Sequence, residues 1–301
     1  MKHAIKPGDT LSAARFLLVN PQIGTSRGGA PYLRCLLRNS DGDVSARSWS
    51  FDVGRLSALT SSGVVEVDGE VQEWQGGLQI SITDISPVSC TEAEIVALMP
   101  QSRHDVQALF VEVRTRLLQM KCPQLRSLAE SFLDDESLMH QMREAPAGVR
   151  MHHAWIGGLL EHTRSVMRLT DAVIDAYIEM DGPVVDRDLV VLGAFLHDLG
   201  KTFELSWVRG FAYTEDGDLI GHIVRGAMLI EDKVAEIEMS GGQPPSPEQV
   251  RHLQHLILSH HERPEYGAAK APRTPEAQLL SLIDRLDATL HLNTDEVAIQ
   301  M

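Results

Sequence analysis

The sequence predicts a multidomain β + α protein, with a small β-barrel over residues 1–90 followed by an all-α domain over residues 91–301. Two observations carry this prediction. As far as about Pro87, apolar residues alternate or run in short stretches between turn signals, which is the habit of strands. From Thr91 onward they recur at the three-and-four spacing of amphipathic helices. The charge changes at the same place: residues 1–90 carry 8 Lys and Arg against 9 Asp and Glu, and residues 91–301 carry 19 against 33. At 301 residues the chain is long enough for two separate cores.

In the first ninety residues, the segments "ARFLLVNPQ", "PYLRCLLRNSDGDVSARSWS" and "GVVEVDGEVQEWQGGLQISITDISPV" hold four to six strands. Turn signals fall at Ser40–Asp43, Val67–Glu70 and Trp74–Gly77. That number of strands in that length suits an OB-type barrel, with another small barrel or sandwich as the alternative. In the second part, helices are predicted over Asp105–Met120, Pro123–Met142, His152–Met180, Asp186–His197, His222–Met239, Pro247–His260 and Pro275–Leu292. Between them, Ser206–His222 reads as an extended hairpin turning at Glu215–Asp218. Ser240–Gln249 reads as a loop, with Ser246-Pro247 opening the next helix.

No apolar run approaches the roughly 20 residues needed to span a bilayer, so no membrane partner is expected. The first residues lack the apolar core and cleavage site of a signal peptide. Cys35, Cys90 and Cys122 stand singly, which argues against a disulfide framework or a zinc ribbon and predicts a reducing, cytoplasmic setting. The net charge of −15 argues against nonspecific duplex binding. An acidic domain still handles phosphates when divalent ions absorb part of its charge. There is no phosphate-binding glycine loop, no dinucleotide fingerprint, and no serine or cysteine nucleophile motif.

The segment "GAFLHDLGKT" (Gly193–Thr202) ends an apolar helix in adjacent His197 and Asp198. One reading is a helix C-terminus, with Gly200 as left-handed cap and Lys201 at the negative dipole end. The other is a metal site. Nine of the thirteen histidines fall between His152 and His261, and His162, His197, His222 and His260 all sit in apolar helical contexts. With Asp198 and Asp284 they form a group in which each member would need its own buried partner. A shared metal satisfies them together, and imidazole with carboxylate is the ligand set of a hydrolytic divalent centre.

The ordered pattern His…His-Asp…His…His…Asp resembles the HD phosphohydrolase superfamily. The resemblance implies that His162, His197, Asp198 and Asp284 ligate a first metal. His222 and His260 would ligate a second, bridged by Asp198. The segments "HHAWIGGLLEHT", "FLHDLGKTFEL", "GHIVRGAMLI" and "LILSHHERPEYGAAKAPRTPEAQLLSLIDRLDA" are more specifically similar to the YhaM-type 3′–5′ exoribonucleases, which join an N-terminal OB-fold to an HD domain. "SRGGAPYLRCLLRNSDGDVSARSW" and "VDGEVQEWQGGLQISITDI" look like that family's OB segment, so the resemblance covers nearly the whole chain. One departure is the small number of aromatics in the barrel: Phe16, Tyr32, Trp49, Phe51 and Trp74, some of them needed for its core.

The resemblance implies a metal-dependent 3′–5′ exoribonuclease that acts on single-stranded RNA, with single-stranded DNA as a further substrate. It would release nucleoside monophosphates. One or two divalent ions are expected, Mn²⁺ first, with Fe²⁺, Co²⁺ or Mg²⁺ as alternatives, and self-association into a homo-oligomer is left open. Asp198 and Lys201 are expected to be catalytic, Lys201 as a phosphate clamp or else merely a helix-end charge. His261 is assigned to the outer shell or the substrate. Arg225, three residues after His222, faces a phosphate or forms a plain salt bridge. His153, if the helix of His162 continues back to it, lies more than two turns away, at the rim of a substrate channel or simply at a helix start. Asp287 is expected behind the ligands. Arg15, Arg27, Arg34, Arg38, Arg47 and Arg55 are candidates for a phosphate track on the barrel. Two competing readings are a phosphohydrolase of a small nucleotide or cyclic dinucleotide, and a nucleic-acid-binding module with a structural metal.

Overall fold

A computed structural model of the chain describes residues 5–149, 153–182, 185–207 and 210–300, with side chains described as far as His291. The chain divides into two compact units, the first running to Gln101 and the second beginning at Ser102.

In the first unit, five strands close into a barrel: β1 (Thr10–Thr25), β2 (Pro31–Asn39), β3 (Gly42–Ser48), β4 (Val64–Trp74) and β5 (Gly77–Pro87), in the order β1-β2-β3-β5-β4. The long β1 pairs antiparallel with both β2 and β4, and β3 runs parallel to β5, which closes the sheet. This Greek-key closure is the OB topology. A short helix, α1 (Leu56–Ser62), follows β3. Alternation places Val65, Val67 and Val71 of β4 inside with Leu33, Leu37, Ile80 and Ile82, while Glu66 and Glu70 point outward. The turn signals at Ser40–Asp43 and Trp74–Gly77 do lie between strands. The one at Val67–Glu70 does not: β4 runs straight through it, and the pairing with β5 slips there between Asp68 and Gly69, so an Asp-Gly pair makes a bulge in place of a turn. Thr91 then caps α2 (Glu92–Ala97) through a capping box with Glu94, and Arg15 of β1 reaches Glu94 at 3.2 Å, so this first helix after the barrel belongs to the barrel unit.

The second unit is helical: α3 (Val106–Leu118), α4 (Pro123–Leu133), α5 (Glu136–Glu144), α6 (Gly158–Glu179), α7 (Arg187–Leu196), α8 (Lys201–Glu204), α9 (Glu215–Leu219), α10 (His222–Met239), α11 (Pro247–Ser259) and α12 (Pro275–Gln300). The helix predicted over Pro123–Met142 is two helices, because Asp135 leaves the helical path to accept the amide of Leu138 and start α5. The hairpin predicted to turn at Glu215–Asp218 is also corrected. Only Leu205–Ser206 and Ala212–Tyr213 pair as strands, and Thr214 caps the short α9 over the supposed turn by accepting from the Gly217 amide.

Helix α7 is the structural centre. Each of its residues from Asp188 to Leu196 is buried, and Phe195 meets Phe132 of α4 edge-on at 6.4 Å. A helix apolar all round must be enclosed, so whatever follows its last turn is delivered into the interior. That residue is His197. Among the described residues, no helix is long and apolar enough to cross a membrane.

Candidate metal centre

Six helix ends or faces converge where α7 stops. His197 and Asp198 leave its last turn, Lys201 opens α8, His222 opens α10, and His260 follows α11, while α6 and α12 contribute His162 and Asp284 from their sides. Gly200 is not the left-handed cap expected of it; its φ and ψ are −60° and −17°, ordinary right-handed values. It must be glycine for another reason. A Cβ there would run into the carbonyl oxygen of His222, so the missing side chain is what lets the start of α10 lie against the His-Asp turn.

Two clusters result. In the first, Nε2 of His162 lies 3.2 Å from Nε2 of His197 and 3.1 Å from Oδ1 of Asp284. Oδ2 of Asp198 stands 3.6 and 3.4 Å from those two imidazole nitrogens. In the second, Oδ1 of Asp198 faces Nε2 of His222 at 3.5 Å and Nε2 of His260 at 3.6 Å. Asp198 thus turns one oxygen to each cluster. His261 joins the second, its ring centroid 4.2 Å from that of His260.

The histidines are oriented from behind. The Nδ1 atoms of His197, His260 and His261 donate to the carbonyls of Ala194 (2.8 Å), Ile257 (2.7 Å) and Tyr266 (2.8 Å). Nδ1 of His162 donates to Asp287 at 2.8 Å, and Nδ1 of His222 faces Glu204 at 2.8 Å. With the proton assigned to Nδ1 in all five, every Nε2 is a lone pair turned toward the carboxylates. Lone pairs do not attract lone pairs. Nε2 of His222, Nε2 of His260 and Oδ1 of Asp198 are buried without a hydrogen-bond partner, an arrangement that costs free energy unless a cation sits among them. The residues present therefore fit one or two divalent ions.

Electrostatics agree. Burial pushes His162 down, but Asp284 and Asp287 outweigh it and raise it to about 10, so the potential there holds a proton or a cation equally. Burial also pulls against Asp198 as an anion, and the charge of Lys201 and the His197 ring hold it well below the ordinary carboxylate range. Burial lowers His222 and His260, and lowers His261 to about 4, so all three stay neutral and able to ligate at physiological pH.

Residues 159–289 match the HD domain family, a span that contains all six of the converging His and Asp residues. Over 283 residues the chain is 30% identical to the 3′-5′ exoribonuclease YhaM of Bacillus subtilis, covering 92% of this chain and 85% of that protein. The proteins of the same name from Bacillus pumilus and Listeria innocua are 31% and 32% identical, over 89% and 92% of this chain and 82% and 85% of theirs. The chain belongs to the YhaM 3′-5′ exoribonuclease family. It is an enzyme of the HD class with an OB barrel at its N-terminal end. Among solved structures, the second OB-fold domain of replication protein A from Methanococcus maripaludis is 19% identical, covers 28% of this chain and 86% of that one, and has a TM-score of 0.20. The strand order is what assigns the barrel.

Around this YhaM-family centre, the remaining sequence-predicted residues fall in different places. Lys201 is not a helix-end charge at the surface. It is almost fully buried, and its Nζ donates to Oδ2 of Asp198 at 2.8 Å. Arg225 lies outside both clusters and pairs with Asp216 at 2.9 Å, the plain salt bridge of its two readings. His153 overturns the expectation of a distant rim position. Helix α6 begins only at Gly158, and the preceding chain folds back so that the His153 ring is fully buried 5.5 Å from that of His162. Asp287 is behind the ligands as expected, holding His162. Sequence reasoning missed Glu204, whose carboxylate meets both Nδ1 (2.8 Å) and the backbone amide (3.2 Å) of His222. Its signal was its spacing of three from Lys201, which puts the two on one helix face.

Proposed function

We propose that this chain is a metal-dependent 3′-5′ exoribonuclease that shortens single-stranded RNA, with single-stranded DNA as a further substrate, releasing nucleoside monophosphates. The observation that carries the reading is the set of backed imidazoles, five Nε2 lone pairs converging on Asp198 and Asp284. In this reading His162, His197, Asp198 and Asp284 hold one divalent ion and His222, His260 and Asp198 a second, Mn²⁺ being the first choice among Mn²⁺, Fe²⁺, Co²⁺ and Mg²⁺. Such ions, when bound, supply a water acidic enough to attack near neutral pH and positive charge against the phosphoryl oxygens. The protein's own part is to keep Asp198 ionised and oriented, the task of Lys201. The ammonium of Lys201, with one of its protons on Asp198, has others for a phosphate oxygen. In this reading His261, grouped with His222 and His260 around Asp198, serves the outer shell of the second ion or meets the scissile phosphate.

The barrel supports a strand-holding role through its outer face. Phe16 and Phe51 are in the core, which leaves Tyr32, Trp49 and Trp74 outside. On the outward side of β2 and β3, Tyr32 and Trp49 pair with ring centroids 5.3 Å apart, and Arg34 and Arg47 are opposite one another in the next register position. The Arg47 guanidinium lies over the Trp49 ring at 5.4 Å. Aromatic faces beside guanidinium groups are what unstacked bases and their phosphates require. Arg15, Arg38 and Arg55, in contrast, are paired with carboxylates.

The test is incubation of the full chain with Mn²⁺ and 5′-labelled single-stranded RNA. A ladder shortening from the 3′ end with nucleoside monophosphate as product is the expected result. Internal cuts, or hydrolysis of a cyclic dinucleotide with RNA left intact, would overturn the reading in favour of another HD activity.

A further inference from the structure

We propose that His153 is a positioning residue of the metal centre, acting through Asp287 to hold His162 in the single orientation and tautomer that turns its Nε2 to the ion. The proposal rests on the metal reading above and extends it to a residue outside the ligand set.

His153 is fully buried, yet it belongs to no helix, and its φ of +55° is a value that side chains avoid. Such a backbone persists only where its surroundings hold it, and strain of this kind gathers at functional sites. Here the surroundings are built for it. The His153 carbonyl accepts from the amides of Ala147 (3.0 Å) and Trp155 (2.9 Å). Gly158, the first residue of α6, lies so close under that carbonyl that a Cβ would collide with it. The ring lies 5.0 Å from Trp155 and 4.1 Å from His291, centroid to centroid.

The polar atoms of the ring face two carboxylates. Nε2 stands 3.4 Å from Oδ2 of Asp287, the same oxygen that accepts from Nδ1 of His162 at 2.8 Å. Nδ1 stands 3.8 Å from Oε1 of Glu161, whose other oxygen is held by the indole N–H of Trp155 at 3.0 Å. The order from outside inward is therefore Glu161, His153, Asp287, His162. A buried carboxylate with one oxygen facing two imidazoles is fixed in angle by both. Without His153, Asp287 keeps Ser165 and the His291 ring on Oδ1 and His162 on Oδ2, but loses the second imidazole that fixes Oδ2, so His162 is no longer held from a fixed point. Removing the group that directly holds a ligating histidine, here Asp287, typically costs about 10- to 100-fold in metal affinity, and a residue acting through it costs no more than that.

The experiment is a double-substitution cycle on the full chain, read by calorimetric titration with Mn²⁺. His153→Asn is the main variant, because asparagine tolerates positive φ while its amide is too short to reach where Nε2 stood. It should weaken Mn²⁺ binding about 10-fold, and Asp287→Asn about 10- to 100-fold. Because one acts through the other, the double variant should bind within about twofold of Asp287→Asn alone. An unchanged affinity in folded His153→Asn overturns the proposal. So does a double variant in which the two losses multiply, the behaviour of an independent packing residue. If circular dichroism shows His153→Asn unfolded, His153→Gly, which adopts positive φ freely and has no side chain to replace the ring, runs the same cycle with the same two outcomes. Failure of the metal reading is distinguishable, since it shows in the unsubstituted chain: a folded protein that takes up no Mn²⁺ removes the centre, and the positioning role with it.

Discussion

Among the described residues, the helical unit buries fifteen polar or charged side chains, whereas the barrel unit buries one, Ser48. The barrel keeps its arginines, its carboxylates and its two tryptophans on the outside and fills its centre with Val, Ile, Leu and Phe. The helical unit brings His162, His197, Asp198, Lys201, His222 and His260 into a place that water barely reaches. A buried polar group is costly unless it is partnered, so a cluster of them around one point is where chemistry is to be sought. An outer face costs nothing to keep polar and suits a long, flexible polyanion. In the proposed reading, the contrast separates a unit that reacts from a unit that grips.

The sharpest way to break this division is to remove the reacting centre. Asp198→Ala takes away the one carboxylate that faces both clusters and leaves Lys201 without its counter-charge. Activity on RNA and on a small activated phosphodiester should fall together by more than about 100-fold, beyond the cost of losing an outer partner. His197→Ala should behave alike. Elemental analysis should show less bound Mn²⁺ in both, while far-UV circular dichroism reports an intact fold. Retained hydrolysis in either variant would place the chemistry elsewhere.

Next in size is the aromatic and arginine face of the barrel, proposed to hold the strand. Trp49, 49% exposed, stacks beside Tyr32 and under Arg47. Loss of one base-stacking platform costs about 1–3 kcal/mol per base, so Trp49→Ala should raise KM for long single-stranded RNA about tenfold and leave the small phosphodiester untouched. Replacing Arg34 and Arg47 by Ala should lower the log–log salt slope of RNA binding by about 0.7 for each phosphate that is no longer neutralised. Equal effects on both substrates would show that the barrel supports the helical unit's fold and does not hold a strand.

The same contrast explains what was legible in the sequence. Barrel and bundle were readable because strand and helix periods differ, and the six converging His and Asp residues stood out because polar groups in apolar helices are rare. Two misreadings were local, the caps Asp135 and Thr214 that start α5 and α9, and the other three were tertiary. The His153 helix was extended back through Gly157-Gly158 because helical spacing continues upstream, and nothing local shows that a carbonyl must pass over Gly158. Gly200 looked like a cap because a glycine after a helix usually is one; its true neighbour, His222, is 22 residues away in sequence. Asp68-Gly69 looked like a turn, but only the pairing of β4 with β5 makes it a bulge.

The smallest effect tests the converse, that charge in the helical unit lying away from the centre serves only stability. Asp171 of α6 accepts from Arg116 of α3 at 2.8 Å and from Arg187 of α7 at 2.9 Å, tying three helices with a side chain 25% exposed. Burial works against its charge, but the two guanidinium groups outweigh burial and lower its pKa. A carboxylate lowered on folding stabilises the protein above its unfolded value, about 3.9 for Asp. That stability is lost as pH falls through the folded value. Asp171→Asn keeps the shape and removes the charge. After allowance for partial exposure, it should cost about 1 kcal/mol at pH 7 in urea unfolding followed by far-UV circular dichroism. The difference should shrink as pH drops below about 4 and vanish near full protonation of Asp171, with RNA hydrolysis at pH 7 unchanged throughout. A cost that persists undiminished in acid would mean that the amide disturbs packing, and a loss of hydrolysis would mean that the polar interior is one network in place of a reactive centre within an inert scaffold.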